Sequence, residues 1–286
     1  MIIHDVAALE DVLARHLDPA QTQLARTLLR PGIHLVAAGP GDAIVGQLGG
    51  STSLPAGVEQ PVWEGHGPLS LLLEVDLGAL AAAGLDAGRP LPRSGRLQAW
   101  YFHAGEDQRP DDVVGSWDDA TRDGARLLLV PPAQETDTPI EDPPDGPVVW
   151  RQPLTAHQVL CWPSPEQPQL LEALGADGPM GVWNHPVFAD PLMEELEGLL
   201  PPLPQHLLGG WPDVLQGPVE HEVSQWGQPD GHSPSDAELA AWTPLLQVDS
   251  GEAAGAMWGD CGLLYWLTRG TGEGLPEQAA FTWQCS

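Results

Sequence analysis

Apolar residues recur at helical spacing at the start of the chain and at strand spacing through most of the remainder. Val6, Leu9, Val12, Leu13 and Leu17 fall on one face of a helix that Asp5 can cap. Asp18 with Pro19 opens a second helix, whose apolar face is Leu24, Leu28 and Leu29, and Pro31-Gly32 is expected to end it. This pair is expected to pack against a sheet edge or face. Short apolar runs predict strands at 33–37, 71–76, 96–102, Ala125–Val130 and 158–162. Between two of them, 77–83 reads as a short helix closed by Gly84, whose missing Cβ suits a left-handed closing residue. Residues 131–147, with Pro131-Pro132, Pro139 and Pro143-Pro144 among acidic residues, read as an exposed connection that holds no regular ladder. Ser164-Pro165-Glu166 is expected to open a helix through Leu174, closed by Gly175. Asp190-Pro191 opens another, with Leu192, Leu196, Leu199 and Leu200 on one face and Pro201-Pro202 as its stop. Ser233-Pro234-Ser235-Asp236 is a helix start, and strands are predicted at 245–248, 263–268 and Ala280–Gln284.

The pattern occurs twice. Gly49-Gly50, Leu54-Pro55, Leu72-Leu73-Glu74-Val75-Asp76, Gly95 and Leu97 to Phe102 are echoed by Gly209-Gly210, Pro212, Leu245-Leu246-Gln247-Val248-Asp249, Gly262 and Leu263 to Leu267. The offset drifts from 160 at the glycine pairs (209 minus 49) to 173 at the aspartates (249 minus 76) and 167 at the later glycines (262 minus 95). Loops therefore differ in length while strands keep their order, as expected of a duplicated αβ unit in one body. The chain is read as one domain, 1–286. Within it lie an N-terminal helical segment at 1–32, a first pseudo-repeat at 33–165, connecting helices at 166–200 and a second pseudo-repeat at 201–286.

Charge narrows the partners. The chain has no lysine, and eleven arginines face forty Asp and Glu, for a formal charge of −29. Between Arg126 and Arg269 the only cationic side chain apart from histidine is Arg151. Such a surface repels phosphate backbones and anionic lipid, so nucleic acid and membrane are excluded as expected partners and a basic protein is favoured. Cys161, Cys261 and Cys285 form no CxxC pair and read as reduced thiols in a cytoplasmic protein, with Cys261 as a small buried residue. Met1-Ile2-Ile3-His4-Asp5 lacks a basic region followed by an apolar one and no run approaches about 18 apolar residues, so neither export nor membrane insertion is expected.

Candidate chemistry concentrates near the end of the chain. Asp249-Ser250 and Met257-Trp258-Gly259-Asp260-Cys261-Gly262 place two carboxylates around a turn, where they could bind a hard cation or share a proton. Aspartate at such places more often accepts backbone N–H bonds, and Asp76 in the matching position favours that role. Histidines are scattered, and His221-Glu222 lacks the second histidine of a zinc helix. No GxSxG, P-loop or GxGxxG pattern occurs, so no catalytic set and no cofactor is expected. Of twelve tryptophans, Trp63, Trp100, Trp242, Trp258, Trp266 and Trp283 are expected in the core, and Trp117, Trp183, Trp211 and Trp226 could be exposed anchors.

The run Leu208-Gly209-Gly210-Trp211-Pro212-Asp213-Val214-Leu215-Gln216, then Leu245 to Ser250, Met257-Trp258-Gly259-Asp260 and Trp283-Gln284-Cys285-Ser286, resembles the signature of the YwqG-like family of bacterial domains of unknown function. Gly49-Gly50, Leu54-Pro55, Leu69 to Asp76 and Gly95-Arg96-Leu97-Gln98 agree with it, so the resemblance covers roughly residues 30–286. Trp100-Tyr101-Phe102 and Leu264-Tyr265-Trp266 depart from the phenylalanine-rich strands of that family, and Gly217-Pro218 from its usual acidic residues. The resemblance implies an α+β fold around antiparallel strands, carries no catalytic residues and, through likeness to accessory or toxin-neighbourhood components, hints at protein binding.

The resulting expectation is an α+β protein: a mostly antiparallel β-sheet core built from two pseudo-repeats, short flanking helices and an N-terminal helical pair. Its expected function is non-catalytic binding, of the immunity or interaction type, with an acidic surface turned to a basic partner. The alternative is a small-ligand binder or hydrolase using Asp213, Gln216, Asp249, Trp258 and Asp260 in a cleft between the repeats.

Overall fold

A computed structural model describes residues 1–103, 112–116, 118–141, 149–226, 228, 232–251, 255–269 and 279–285. Trp117 and Pro143-Pro144 lie outside these residues. The chain begins with β1 (Ile2–Ile3), α1 (Val6–His16), α2 (Pro19–Leu28), β2 (Arg30–Ala37), β3 (Gly46–Leu48), β4 (Thr52–Leu54), β5 (Val62–Trp63) and β6 (Gly67–Pro68). It continues through β7 (Ser70–Asp76), α3 (Leu77–Ala82), β8 (Arg96–Tyr101), a 3-10 turn at Asp119–Gly124, β9 (Ala125–Val130), β10 (Thr138–Ile140) and β11 (Gln152–Cys161). The remainder holds α4 (Leu170–Leu174), α5 (Pro179–Trp183), a 3-10 turn at Pro186–Phe188, α6 (Asp190–Glu197), β12 (His206–Gly209), α7 (Val219–Ser224), α8 (Asp236–Ala240), β13 (Trp242–Asp249), β14 (Leu263–Arg269) and β15 (Ala280–Gln284).

Among the described residues eleven strands form one antiparallel sheet in the order β15-β14-β13-β12-β2-β11-β3-β7-β8-β9, with β1 added to β11. The fold is α+β and mostly antiparallel. The β2–β11 pair lies at the centre, and β3-β7-β8-β9 and β12-β13-β14-β15 extend from it in opposite directions. Their registers match. Asp76 faces Arg96 and Leu73 faces Ala99, while Asp249 faces Leu263 and Leu246 faces Trp266. Both ladders slip by one residue, between Leu71 and Leu73 and between Pro244 and Leu246.

The glycine pairs have the same physical cause in both places. Gly49 and Gly209 lie at φ +53° and +71°, and a Cβ on either would overlap a backbone carbonyl oxygen, that of Val149 or of Ala87. The next amides, of Gly50 and Gly210, donate to those same two carbonyls at 3.1 and 3.3 Å. Only glycine permits a chain to pass this close with positive φ.

The sheet curls until its ends meet. Tyr101 of β8 lies 5.6 Å from Phe281 of β15 between ring centroids, and the Trp283 indole donates to the Val114 carbonyl at 2.8 Å. The enclosed core holds Ile33, Leu35, Leu48, Leu73, Leu97, Trp100, Leu246, Leu264, Trp266 and Phe281. A second cluster under α1, α2, α4, α5 and α6 includes Leu9, Leu13, Leu28, Trp162, Leu192 and Leu196. The N-terminal pair thus packs chiefly among other helices. Asp5 and Asp18 cap α1 and α2, and Asp76 accepts the Ala79 N–H at the start of α3.

Several expectations are corrected. Pro31-Gly32 lies inside β2, because β12 pairs only with Gly32 to Leu35 and leaves the edge beside Pro31 without a required donor. Residues 131–147 include the strand β10, paired with β4 in a two-stranded ladder whose outer edges tolerate Pro139. The helix expected from Ser164 starts at Leu170, since Pro168 disfavours helical backbone before it. Trp211 is buried, its indole donating to the Leu28 carbonyl, and Cys261 is exposed at φ +53° in a turn.

Candidate functional site

The five candidate residues gather around the end of β13. Asp249 is 6% exposed; its Oδ2 accepts the Gln205 N–H at 2.7 Å and its own N–H is donated to His206 Nδ1 at 3.0 Å. Burial pushes its carboxyl up, the N–H groups of Gln205 and Ser250 pull it back, and the Asp213 charge adds to the rise. The Trp258 indole donates to the Asp249 carbonyl at 3.2 Å, and its amide to Ser250 Oγ at 3.0 Å. Asp213 donates its amide to Gln247 Oε1 and accepts the Tyr265 hydroxyl at 2.6 Å on its carbonyl. Gln216 and Asp260 have exposed side chains, and the Gln216 amide donates to Gln284 Oε1 at 3.1 Å. The structure thus joins Asp249, Trp258 and Asp213 through bonds that tie a strand end to neighbouring turns. Among the described residues no group of three His, Cys, Asp or Glu is placed to hold a metal ion. The Trp258 ring, with Tyr101, His103, Met257 and Trp283, lines a pocket of about 140 Å³.

Histidines that are distant in sequence come together on the central strands. His4 Nε2 and His34 Nδ1 share a hydrogen bond at 2.8 Å, and His34 Nε2 approaches the Pro204 carbonyl at 3.2 Å. Burial lowers His34 to about 4 and His206 to about 3. Both are therefore neutral imidazoles, His34 bonded to His4 and the Pro204 carbonyl and His206 accepting the Asp249 N–H.

Two surface features stand out. On α4 to α6, Met180 and Trp183 are 68% and 48% exposed, three residues apart on one short helix. Exposed Glu172, Asp177, Asp190 and Glu194 belong to the same stretch, where the neighbouring Glu195 is bonded to Arg15 and His16. Elsewhere three arginines are taken up internally. Arg96 pairs with Glu74 and Asp137, Arg89 donates to the Thr243 and Pro244 carbonyls and Thr268 Oγ1, and Arg30 stacks on Trp211 at 3.2 Å. The acidic excess therefore remains largely unneutralised on the outside.

The second feature is a cleft of about 720 Å³ where the sheet ends approach. Ala125 to Leu128 form one wall, Ala279 and Ala280 another, and Arg122, Trp226, Trp242 and Arg269 surround the opening. Arg122 lies over Trp226 at 4.8 Å and Arg269 over Trp242 at 4.7 Å. None of the five candidate residues lines it. Along the chain Arg126 and Arg269 bracket a stretch nearly empty of arginine, and only sheet closure brings them to face the same space.

Residues 46–285 match the family model described as a domain of unknown function, DUF1963. No curated protein matches the chain.

Proposed function

We propose, from the premise that this chain belongs to the DUF1963 family of domains of unknown function, that it is a non-catalytic binding protein whose acidic helical surface docks a basic protein. The observation that carries this reading is the exposed Met180–Trp183 pair among the carboxylates of α4 to α6. Trp and Met are enriched at interface centres, and surrounding charge steers a complementary partner and sets the salt dependence of binding. The YwqG-like, immunity-type character, the cytoplasmic location and the lack of nucleic-acid or membrane partners belong to the same proposal. So does the single domain built by duplication, which the matched registers of β7–β8 and β13–β14 support.

A pull-down from native lysate at low and high salt tests it, with Trp183→Ala alongside. A basic protein should be retained at low salt, released at high salt and lost in the variant. Finding no salt-sensitive partner, or one indifferent to Trp183, would count against the reading. The second reading, a small-ligand binder or hydrolase, is supported by the pocket beside Trp258, which alone of the five candidate residues lines it.

A further inference from the structure

The cleft between the sheet ends goes beyond that function and does not rest on it. Three of the eleven arginines of a chain with net charge −29 surround one opening. Their pairing is weak where present. Arg122 and Arg126 meet Asp119 and Asp123 only in exposed neighbouring-turn pairs, and Arg269, though Glu238 is near enough to feel its charge, has no ion pair within 4 Å among the described residues. Such exposed pairs contribute little, so an incoming carboxylate can compete for these guanidiniums. Contact with the rings of Trp226 and Trp242 restrains the guanidiniums of Arg122 and Arg269, and a guanidinium so held can still offer terminal N–H groups to a carboxylate. Trp242 is 6% exposed and its indole N–H has no partner among the described residues, nor has that of Trp226.

The shape of the wall selects the ligand further. Ala125, Arg126, Leu127 and Leu128 are consecutive, although side chains on a strand alternate between faces. A wall made of consecutive residues is the strand edge itself. β9 pairs with β8 on one side, and among the described residues no strand pairs with its other edge. In an antiparallel strand every second residue directs its N–H and C=O toward that open side, a template for an added strand.

We propose that this cleft binds an extended acidic peptide segment, which pairs with the free edge of β9 and places carboxylates on Arg122, Arg126 and Arg269. Charge complementarity favours an acidic occupant in a molecule otherwise hostile to anions, and the open edge favours a peptide over a small organic acid. Partner binding at the helical surface and peptide binding here are separate events.

The test is fluorescence polarisation with a labelled hexapeptide of alternating glutamate and valine, at about 0.15 M salt so that the long-range field of the protein is screened. The comparison probes are the lysine–valine analogue, a copy N-methylated at alternate residues, and citrate. We expect saturable binding of the acidic peptide alone. Affinity should fall about tenfold or more in Arg269→Gln, recover in part in Arg269→Lys, and fall about tenfold on N-methylation. Arg269 is exposed, and unchanged thermal unfolding would show that the variant keeps its fold. The proposal is overturned by absent binding, by equal affinity of Arg269→Gln, or by equal affinity of the N-methylated peptide. Binding of citrate without the peptide overturns the ligand class as well.

Discussion

Leu72 and Leu245 are each the extra residue of a β-bulge, 173 positions apart (245 minus 72), in ladders that agree pair by pair on both sides. Asp76 and Asp249 end the two bulged strands at the same offset. A bulge adds twist locally, and one in each half helps the sheet to curl until its ends meet. Their chemistry differs nonetheless: Asp76 caps α3, whereas Asp249 holds the Gln205 amide.

Close backbone passage makes the glycine pairs intolerant. Gly49→Ala and Gly209→Ala should each cost at least about 3 kcal/mol, since the new Cβ must displace a carbonyl rather than a side chain. Gly57→Ala, at φ +86° with open space around it, should cost only about 1–2 kcal/mol from the left-handed backbone alone. Urea unfolding of the three variants decides this, and equal losses would remove the argument.

Asp249 and Asp260 should separate under mutation. Asp249→Ala leaves the buried Gln205 amide without its acceptor and should cost about 1–3 kcal/mol. Asp260→Ala, on an exposed turn, should stay within about 0.5 kcal/mol. Comparable losses in urea midpoints would show that the two carboxylates act together after all.

Opposed titrations should shape stability against pH. Burial on α7 pushes Glu220 up to about 7 against the pull of nearby Gln169 and Arg30, so between pH 4.5 and 7 the unfolded chain sheds a proton that the native state keeps. That group therefore destabilises the fold progressively as pH rises through this window, by up to about 3 kcal/mol. Glu220→Gln should gain stability over the parent at pH 8 and match it near pH 4. For His34, lowered by burial to about 4, the unfolded state binds the extra proton, so its contribution is complete above pH 6.5 and lost as pH falls toward 4. Thermal unfolding across pH 4–8 measures both, and a parent and Glu220→Gln with parallel curves would refute the Glu220 assignment.

The strands at 71–76, 96–102, Ala125–Val130 and Ala280–Gln284 are legible in the sequence because a short apolar run bounded by turn residues is a local property, expressed before any contact is made. The caps at Asp5, Asp18 and Ser235 are legible for the same reason, each acting within three residues. β3, β12 and β10 are not, because three or four residues carry too little pattern and depend on partners far along the chain. Local pattern misplaces Trp211 and Cys261 for a related cause: exposure is set by what packs above a residue, such as the Leu28 carbonyl that takes the Trp211 indole.

By itself the amino-acid order determined the family, the echo of paired glycines and aspartates, the antiparallel class and the acidic balance. Each is carried by residue type and short spacing. Tertiary structure alone decided which side chains share a space: closure of the sheet set Arg122 and Arg126 opposite Arg269 and Trp242, and pairing of β1 and β2 with β11 drew His4 to His34. Long-range pairing of strands costs loop-closure entropy that no local pattern records, so the cleft exists only once the core has formed.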